Sequence, residues 1–486
     1  MSPSPDTALL DVTIDVSGNT PAYQQIYEQI RRLILVGRLA PGLRLPSSRA
    51  FAEVLGLSRT TLVSAYDHLQ AEGYIEPRRG AGFFVTNYAP EQLLAVSSVS
   101  TDKPVSAVPE KPKKAPPPFT PREAESAYFP TEFWARLLQQ QWRRHGPQLI
   151  ETGTGEGFYP LRRAIAEHLR HWRGITCDAE QVFITSGSVE ALELLLAVTT
   201  KPKEKVWLEN PGFSKLCRAV RASELEPVFL PVDSEGVMID EGLARAPDAR
   251  IALITAARQY PLGMPLALTR RLALLDWARR AQGWIIEDDY DSEYRYGGKP
   301  LPALMSLDET ARVIYLGSFS KTMFKGLRLG FVVVPRSLAG PLRKVISQDG
   351  TAASAIAQPA LAALVENGHY AKHLRRMRRL YARRRASLLE ALEKHCGGLL
   401  TADNNPSGMH VIAEFTPALR ERISDIDAAA HLVAAGLGPY PLSTYYVETP
   451  AKQGLLLGFS GASEGDLQAA VLTLSKVLQA RVLTAR

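Results

Sequence analysis

Val313-Ile-Tyr-Leu-Gly-Ser-Phe-Ser-Lys321-Thr-Met-Phe-Lys-Gly-Leu-Arg328-Leu-Gly-Phe331 is the stretch whose reading decides the fold. One apolar run ends at Gly317 and a second spans Phe331 to Val334. Between them lie a small hydroxyl-rich turn (Ser318, Phe319, Ser320), then Lys321 and Arg328. Apolar runs of this length on either side of a turn predict two strands of a buried sheet. A lysine amine past a strand end can form an imine with an aldehyde. Two serine hydroxyls and a guanidinium can hold a phosphate. The same residues also suit a surface turn with an ordinary lysine, so the surrounding chain has to decide.

Working outward, apolar runs alternate with helical patterns throughout residues 119–486. The expected strands are 181–185, 205–209, 227–232, 250–255, 283–287, 312–317 and 329–334. Continuous apolar strands separated by helices predict a mostly parallel sheet covered on both faces, an α/β domain. Ligands of such sheets bind beyond the strand ends, so the residues that follow each strand carry the information. After Thr185, Gly187 and Ser188 open a helix, whose free N–H groups suit an anion. After Glu209, Phe213 can stack on a planar ligand. After Ile286 come Glu287, Asp288, Asp289 and Tyr290. Adjacent carboxylates at a buried strand end are costly unless a cation meets them. A protonated pyridine nitrogen is such a cation, and Tyr290 can reach the neighbouring ring oxygen. Imine lysine, phosphate cup, ring-nitrogen carboxylate and stacking ring together describe a site for pyridoxal 5'-phosphate.

The N-terminal part reads differently. Tyr23, Ile26, Ile30, Leu33 and Ile34 share one helical face, with Thr20 as a cap and Pro21 at the first position. A short helix spans Ser48 to Leu55 behind Ser47 and stops at Gly56. Ser58 caps a third helix, Arg59 to Glu72. Helix, tight turn, helix is a helix-turn-helix pattern. Its second helix presents Ser58, Arg59, Thr60 and Thr61 at the end that enters a major groove. Two short strands around Arg78-Arg79-Gly80-Ala81-Gly82 form a basic wing. Residues 19–86 are thus expected to be a winged helix-turn-helix DNA-binding domain, mainly α with a β wing. Residues 1–18 read as a flexible lead.

Residues 87–118 are rich in Val, Ser, Pro and Lys, and are expected to be a flexible linker. A chain of 486 residues exceeds one ordinary core, consistent with this division. The net charge of +7 permits a nucleic-acid partner. No apolar run is long enough to span a bilayer, and the first residues lack a secretion signal. Cys177, Cys217 and Cys396 are too far apart for a metal cluster or disulfide framework, and no metal site is expected. Together these features point to the cytoplasm.

Residues 21–86 resemble the winged helix of GntR-type regulators through Leu45-Pro-Ser-Ser-Arg49, Leu57-Ser-Arg-Thr-Thr61, Glu72-Gly-Tyr-Ile75 and Gly80-Ala-Gly82. Residues 119–486 resemble fold-type I aminotransferases through Thr185-Ser-Gly-Ser188, Glu287-Asp-Asp-Tyr290, Ser318-Phe-Ser-Lys321 and Leu327-Arg-Leu-Gly330. End to end, the chain resembles the MocR/GabR-type regulators, which join these two domains. The resemblance implies that Lys321 forms the imine with pyridoxal phosphate and that Asp288, rather than Asp289, meets the pyridine nitrogen. Tyr290 contacts the phenolic oxygen, and Phe213 stacks on the ring. Gly187, Ser188, Ser318, Ser320 and Arg328 cradle the phosphate. It also implies DNA contact through Arg49, Arg59 and Arg79, with Arg78 beside them in the wing, and a head-to-tail homodimer.

Two departures matter. Ala256-Ala-Arg258-Gln259 stands where many relatives carry Pro-Ser-His-Gln. Arg258 there could bind an effector carboxylate or pair with the acidic cluster. Leu455-Leu-Leu-Gly-Phe459 stands where aminotransferases place a substrate-binding arginine, and losing that guanidinium removes the usual carboxylate clamp. The expected function is therefore a regulator that senses pyridoxal phosphate, or an amine or amino acid reacting with it. The alternative is a working aminotransferase with an appended DNA-binding domain. A basic run, His373 to Arg379 and Arg383 to Arg385, reads as a solvated helix face.

Overall fold

The computed structural model describes residues 12–15, 20–87, 116–121, 124–151, 155–298, 301–349, 353–448 and 450–484. The chain divides into two compact units, residues 1–111 and 112–486. Most of the expected linker, and the expected lead apart from residues 12–15, lies outside the described residues.

In the first unit, helices α1 (Ala22–Leu35), α2 (Ser48–Leu55) and α3 (Arg59–Ala71) precede strands β1 (Ile75–Arg78) and β2 (Gly82–Val85). Ile26 and Ile30 from α1 and Leu62 and Leu69 from α3 are fully buried against one another. Each contributes roughly 1.5–3 kcal/mol of burial. Ser47 and Ser58 both act as N-caps, accepting from the N–H groups of Ala50 and Thr61. Gly56 ends α2 in the left-handed conformation at φ 66°, which a side chain would oppose. The cap expected of Thr20 is absent. Pro21 is the residue before the helix, and no side chain caps it. The lead also differs from expectation at Val12, which is buried in this core. Thr13 and Asp15 donate their N–H groups to Gln29 and Gln25 of α1, so residues 12–15 pack as an extension of the domain.

The second unit is built on an eight-stranded sheet in the order β3-β10-β9-β8-β7-β4-β5-β6. Its strands are β3 (Val182–Thr185), β4 (Lys205–Asn210), β5 (Glu226–Asp233), β6 (Gly236–Val237), β7 (Ile251–Ile254), β8 (Trp284–Asp289), β9 (Val313–Ser318) and β10 (Gly330–Val333). The pairs β5–β4–β7–β8–β9 are parallel, while β10 runs antiparallel to both β9 and β3. All seven strands expected from the apolar runs are present. β3, β7 and β10 are buried at every residue, as a sheet covered on both faces requires. A second, antiparallel sheet follows, in the order β11 (Leu400–Ala402), β12 (His410–Phe415), β14 (Gly454–Gly458) and β13 (Tyr440–Pro441). Among the described residues no helix is long and apolar enough to cross a membrane.

Candidate cofactor site and nucleic-acid interface

The carboxyl ends of the central strands converge on one cavity of about 410 Å³. Strand β8 shows how the sequence builds its floor. Successive side chains of a strand point to opposite faces, so Glu287 and Asp289 share a face that Asp288 does not. Glu287 accepts the N–H groups of Leu304 and Met305. Asp289 lies 2.9 Å from the Arg173 Nε and accepts from the Tyr315 hydroxyl at 2.7 Å. Both charges are thus answered inside the protein. Asp288 faces the cavity and has no hydrogen-bond or ion-pair partner among the described residues. Burial pushes its carboxyl up to about 7, with Asp289 and Asp291 adding to the rise.

Lys321 follows β9 and is held by its backbone. Its carbonyl accepts from the Tyr294 hydroxyl at 3.1 Å. The next residue, Thr322, is buried and bonded to Tyr370 and His373. The anion end of the cavity is formed by the first residues of the helix Ser188–Thr199 and by Ser318, Ser320 and Arg328. Gly187 precedes that helix at φ 140°, and the Arg328 guanidinium lies 3.7 Å from where its Cβ would be. Gly330 permits this close approach. A Cβ there would meet the Gly317 carbonyl at 3.0 Å and the Gly187 Cα at 3.3 Å. Phe213, Tyr260 and Tyr290 supply an aromatic wall, with edge-to-face contacts centred 5.6 and 5.5 Å apart.

The cavity therefore brings together all nine residues that the sequence assigned to pyridoxal phosphate: Gly187, Ser188, Phe213, Asp288, Tyr290, Ser318, Ser320, Lys321 and Arg328. The donor set fits that molecule: an unmatched buried carboxyl for the ring nitrogen, N–H, hydroxyl and guanidinium donors for the phosphate, and an amine for the aldehyde. The cavity also has lining residues that the sequence reading missed. Thr255 and Tyr260 follow β7, a position that the strand-end rule could have flagged. Pro121, Lys215, Lys325 and Tyr440 carry no local signal.

Of the two roles that the sequence left open for Arg258, its geometry matches pairing with the acidic cluster, and it is not among the residues that line the cavity. Its guanidinium is 3% exposed and donates to the Tyr290 hydroxyl and the His410 carbonyl, with Asp291 beside it. The buried acidic end of β8 draws this cation inward.

On the first unit, Arg49, Arg59, Arg78 and Arg79 are all exposed, as is Thr60. Arg49 pairs loosely with Glu53 at 3.4 Å. Arg78 pairs with Glu76 and lies over the Phe84 ring. The Ser58 hydroxyl is engaged by Thr60, Thr61 and the cap, so it shapes the end of α3. The wing gains a third edge that the sequence did not announce. Leu43 and Leu45 pair with β2 through backbone bonds of 2.9 Å, which places the exposed Arg44 beside Gly82.

Two family models match the chain: bacterial regulatory proteins of the gntR family over residues 22–85, and aminotransferase class I and II over residues 122–440. A probable rhizopine catabolism regulatory protein, MocR, of Rhizobium meliloti is 36% identical over 473 residues, 95% of each chain. The pyridoxine biosynthesis transcriptional regulator PdxR of Corynebacterium glutamicum is 33% identical, over 95% of this chain and 97% of its own. Among solved structures, the kynurenine aminotransferase of Pyrococcus horikoshii superposes with a TM-score of 0.69 at 25% identity. That match covers 76% of this chain and 92% of the enzyme.

Proposed function

This chain belongs to the MocR-type family of bacterial regulators, a GntR domain joined to an aminotransferase class I and II domain, and from that premise we propose how it works. It is a DNA-binding transcriptional regulator, and its second unit is the sensor. The observation that carries this reading is the single cavity that gathers Lys321, Asp288 and the anion donors.

Asp288 holds the ring nitrogen of pyridoxal phosphate, and that pairing gives its isolated carboxyl a cation. Gly187, Ser188, Ser318, Ser320 and Arg328 bind the phosphate. Phe213 covers the ring, and Tyr290 donates to the ring oxygen. When bound, pyridoxal phosphate supplies an aldehyde that condenses with amines. Lys321, which lines the cavity, would present its amine to that aldehyde, and an amine or amino-acid effector would be recognised in its place. Such an effector alters DNA binding only in so far as it binds two states of the protein unequally. Arg49, Arg59, Arg78 and Arg79, with Thr60 and Thr61, contact promoter DNA, and a cytoplasmic head-to-tail homodimer presents two such surfaces.

The likeness to aminotransferases keeps a second reading in view, that of a working enzyme. Against it, Leu455, Leu456 and Leu457 are fully buried in β14, where the expected carboxylate-binding arginine would stand. The test is turnover of amino donors with keto acids beside promoter binding of the same preparation. The regulator reading expects ligand-dependent DNA binding with at most a slow half-reaction. Multiple turnover without any effect on DNA binding contradicts it.

A further inference from the structure

The Arg258 guanidinium reaches the site from behind the aromatic wall. Its Nη1 donates to the Tyr290 hydroxyl at 2.9 Å and lies 3.4 Å from the Asp291 Oδ2. Its Nη2 donates to the His410 carbonyl at 3.2 Å. Gly408 reserves the space. A Cβ there would lie 2.2 Å from the Arg258 Cζ, and its φ of +81° also favours glycine. The cation is therefore fixed below Tyr290, while Tyr290 itself lines the cavity.

A phenol oxygen that accepts from a cation still has its own proton to give. Burial holds the Tyr290 phenol well above its ordinary value, with Arg258 opposing that rise, so the hydroxyl is protonated at neutral pH. The charged groups that act on it are Arg258, Asp291 and Asp288. Two are acidic, and Arg258 is the cation among them.

We propose that Arg258 is a positioning residue that turns the Tyr290 hydroxyl proton toward the cavity and strengthens it as a donor to the ring oxygen of pyridoxal phosphate. This rests on the cofactor reading above. Arg258 touches Tyr290 and does not line the cavity. A hydrogen bond to a charged donor polarises the next bond in the chain, which is how the effect passes through the phenol. The Lys321 nitrogen and the ring oxygen share one proton once the cofactor is bound. A strong donor and a cation behind that oxygen favour loss of the proton. Removing either one raises the pH at which it leaves.

The experiment follows the visible absorbance of the full chain loaded with pyridoxal phosphate as a function of pH. The unsubstituted chain is compared with Tyr290→Phe, Arg258→Leu and the double variant. Each single substitution is expected to raise the midpoint by about 1 pH unit. The double variant is expected to go no further than Tyr290→Phe. A purely structural Arg258 would lower thermal stability and leave the midpoint in place. A midpoint unmoved by Arg258→Leu, or a double variant shifted by the sum, overturns the proposal. Arg258→Gln, which keeps an N–H donor but no charge, covers the case in which the leucine variant does not fold. It is expected to raise the midpoint as well, and an unmoved midpoint there also overturns the proposal. If the unsubstituted chain shows no visible band, the cofactor reading falls and this inference with it. A band with an unmoved midpoint removes this inference alone.

Discussion

Arg173 and Asp289 form a buried ion pair, Nε to Oδ2 2.9 Å, directly beneath the cavity floor. That pair makes the neighbouring Asp288 available. One carboxylate of β8 is paired inside the protein, and its neighbour, pointing the other way, lines the cavity where the ligand is proposed to sit. Breaking a buried pair by removing one partner strands a charge and costs about 3–5 kcal/mol. Arg173→Met should therefore lower stability by that order, measured by urea unfolding, although Arg173 does not line the cavity.

Asp288 predicts the opposite behaviour. Its carboxyl in the folded apo chain lies at about 7, above the ~3.9 of an unfolded aspartate. Its contribution to stability is most favourable below the unfolded value and is lost as pH rises through the folded one. Asp288→Asn should therefore gain stability relative to the unsubstituted apo chain between about pH 4 and pH 7, and hold that gain above. Urea midpoints across this range check it. The same variant should bind pyridoxal phosphate more weakly, because the ring nitrogen loses its partner.

Arg328 stands against the N-terminus of the helix that begins at Ser188, where the phosphate is proposed to sit. Arg328→Gln removes a charged donor worth about 1.5–3 kcal/mol. The dissociation constant for pyridoxal phosphate should rise roughly 10- to 100-fold, read by titrating the apo chain.

The winged helix separates two roles that its sequence merged. Ser58→Ala should cost about 1 kcal/mol of domain stability without DNA, because the hydroxyl caps α3. Arg79→Ala should leave stability unchanged and reduce the salt dependence of DNA binding by about one phosphate contact. Unfolding curves and binding at several salt concentrations tell the two apart.

Much of this was legible because the informative residues follow apolar strands. Each of the seven apolar runs became a strand of the large sheet, and Gly187, Phe213, Asp288 and Lys321 follow four of them in sequence. The choice of Asp288 over Asp289 was left to spacing, because the partner that occupies Asp289, Arg173, lies more than a hundred residues away in sequence. Long-range pairing also explains what was missed. Arg258 was left open between an effector carboxylate and the acidic cluster because its sequence neighbours do not disclose Asp291, His410 and Gly408, which surround it. The small sheet β11–β14 consists of strands of two to six residues spread among loops, and Tyr440 reaches the cavity from it. Thr20 satisfied the capping pattern, yet the chain enters the helix through Pro21.

The central claim is that Lys321 joins pyridoxal phosphate in this cavity. The most direct measurement is borohydride reduction of the full chain incubated with pyridoxal phosphate, followed by peptide mass spectrometry. The account predicts one pyridoxyl-phosphate adduct, on Lys321, lost in Lys321→Ala while promoter binding persists. A chain that carries no adduct, or carries it on Lys215 or Lys325 with Lys321 unmodified, contradicts the account.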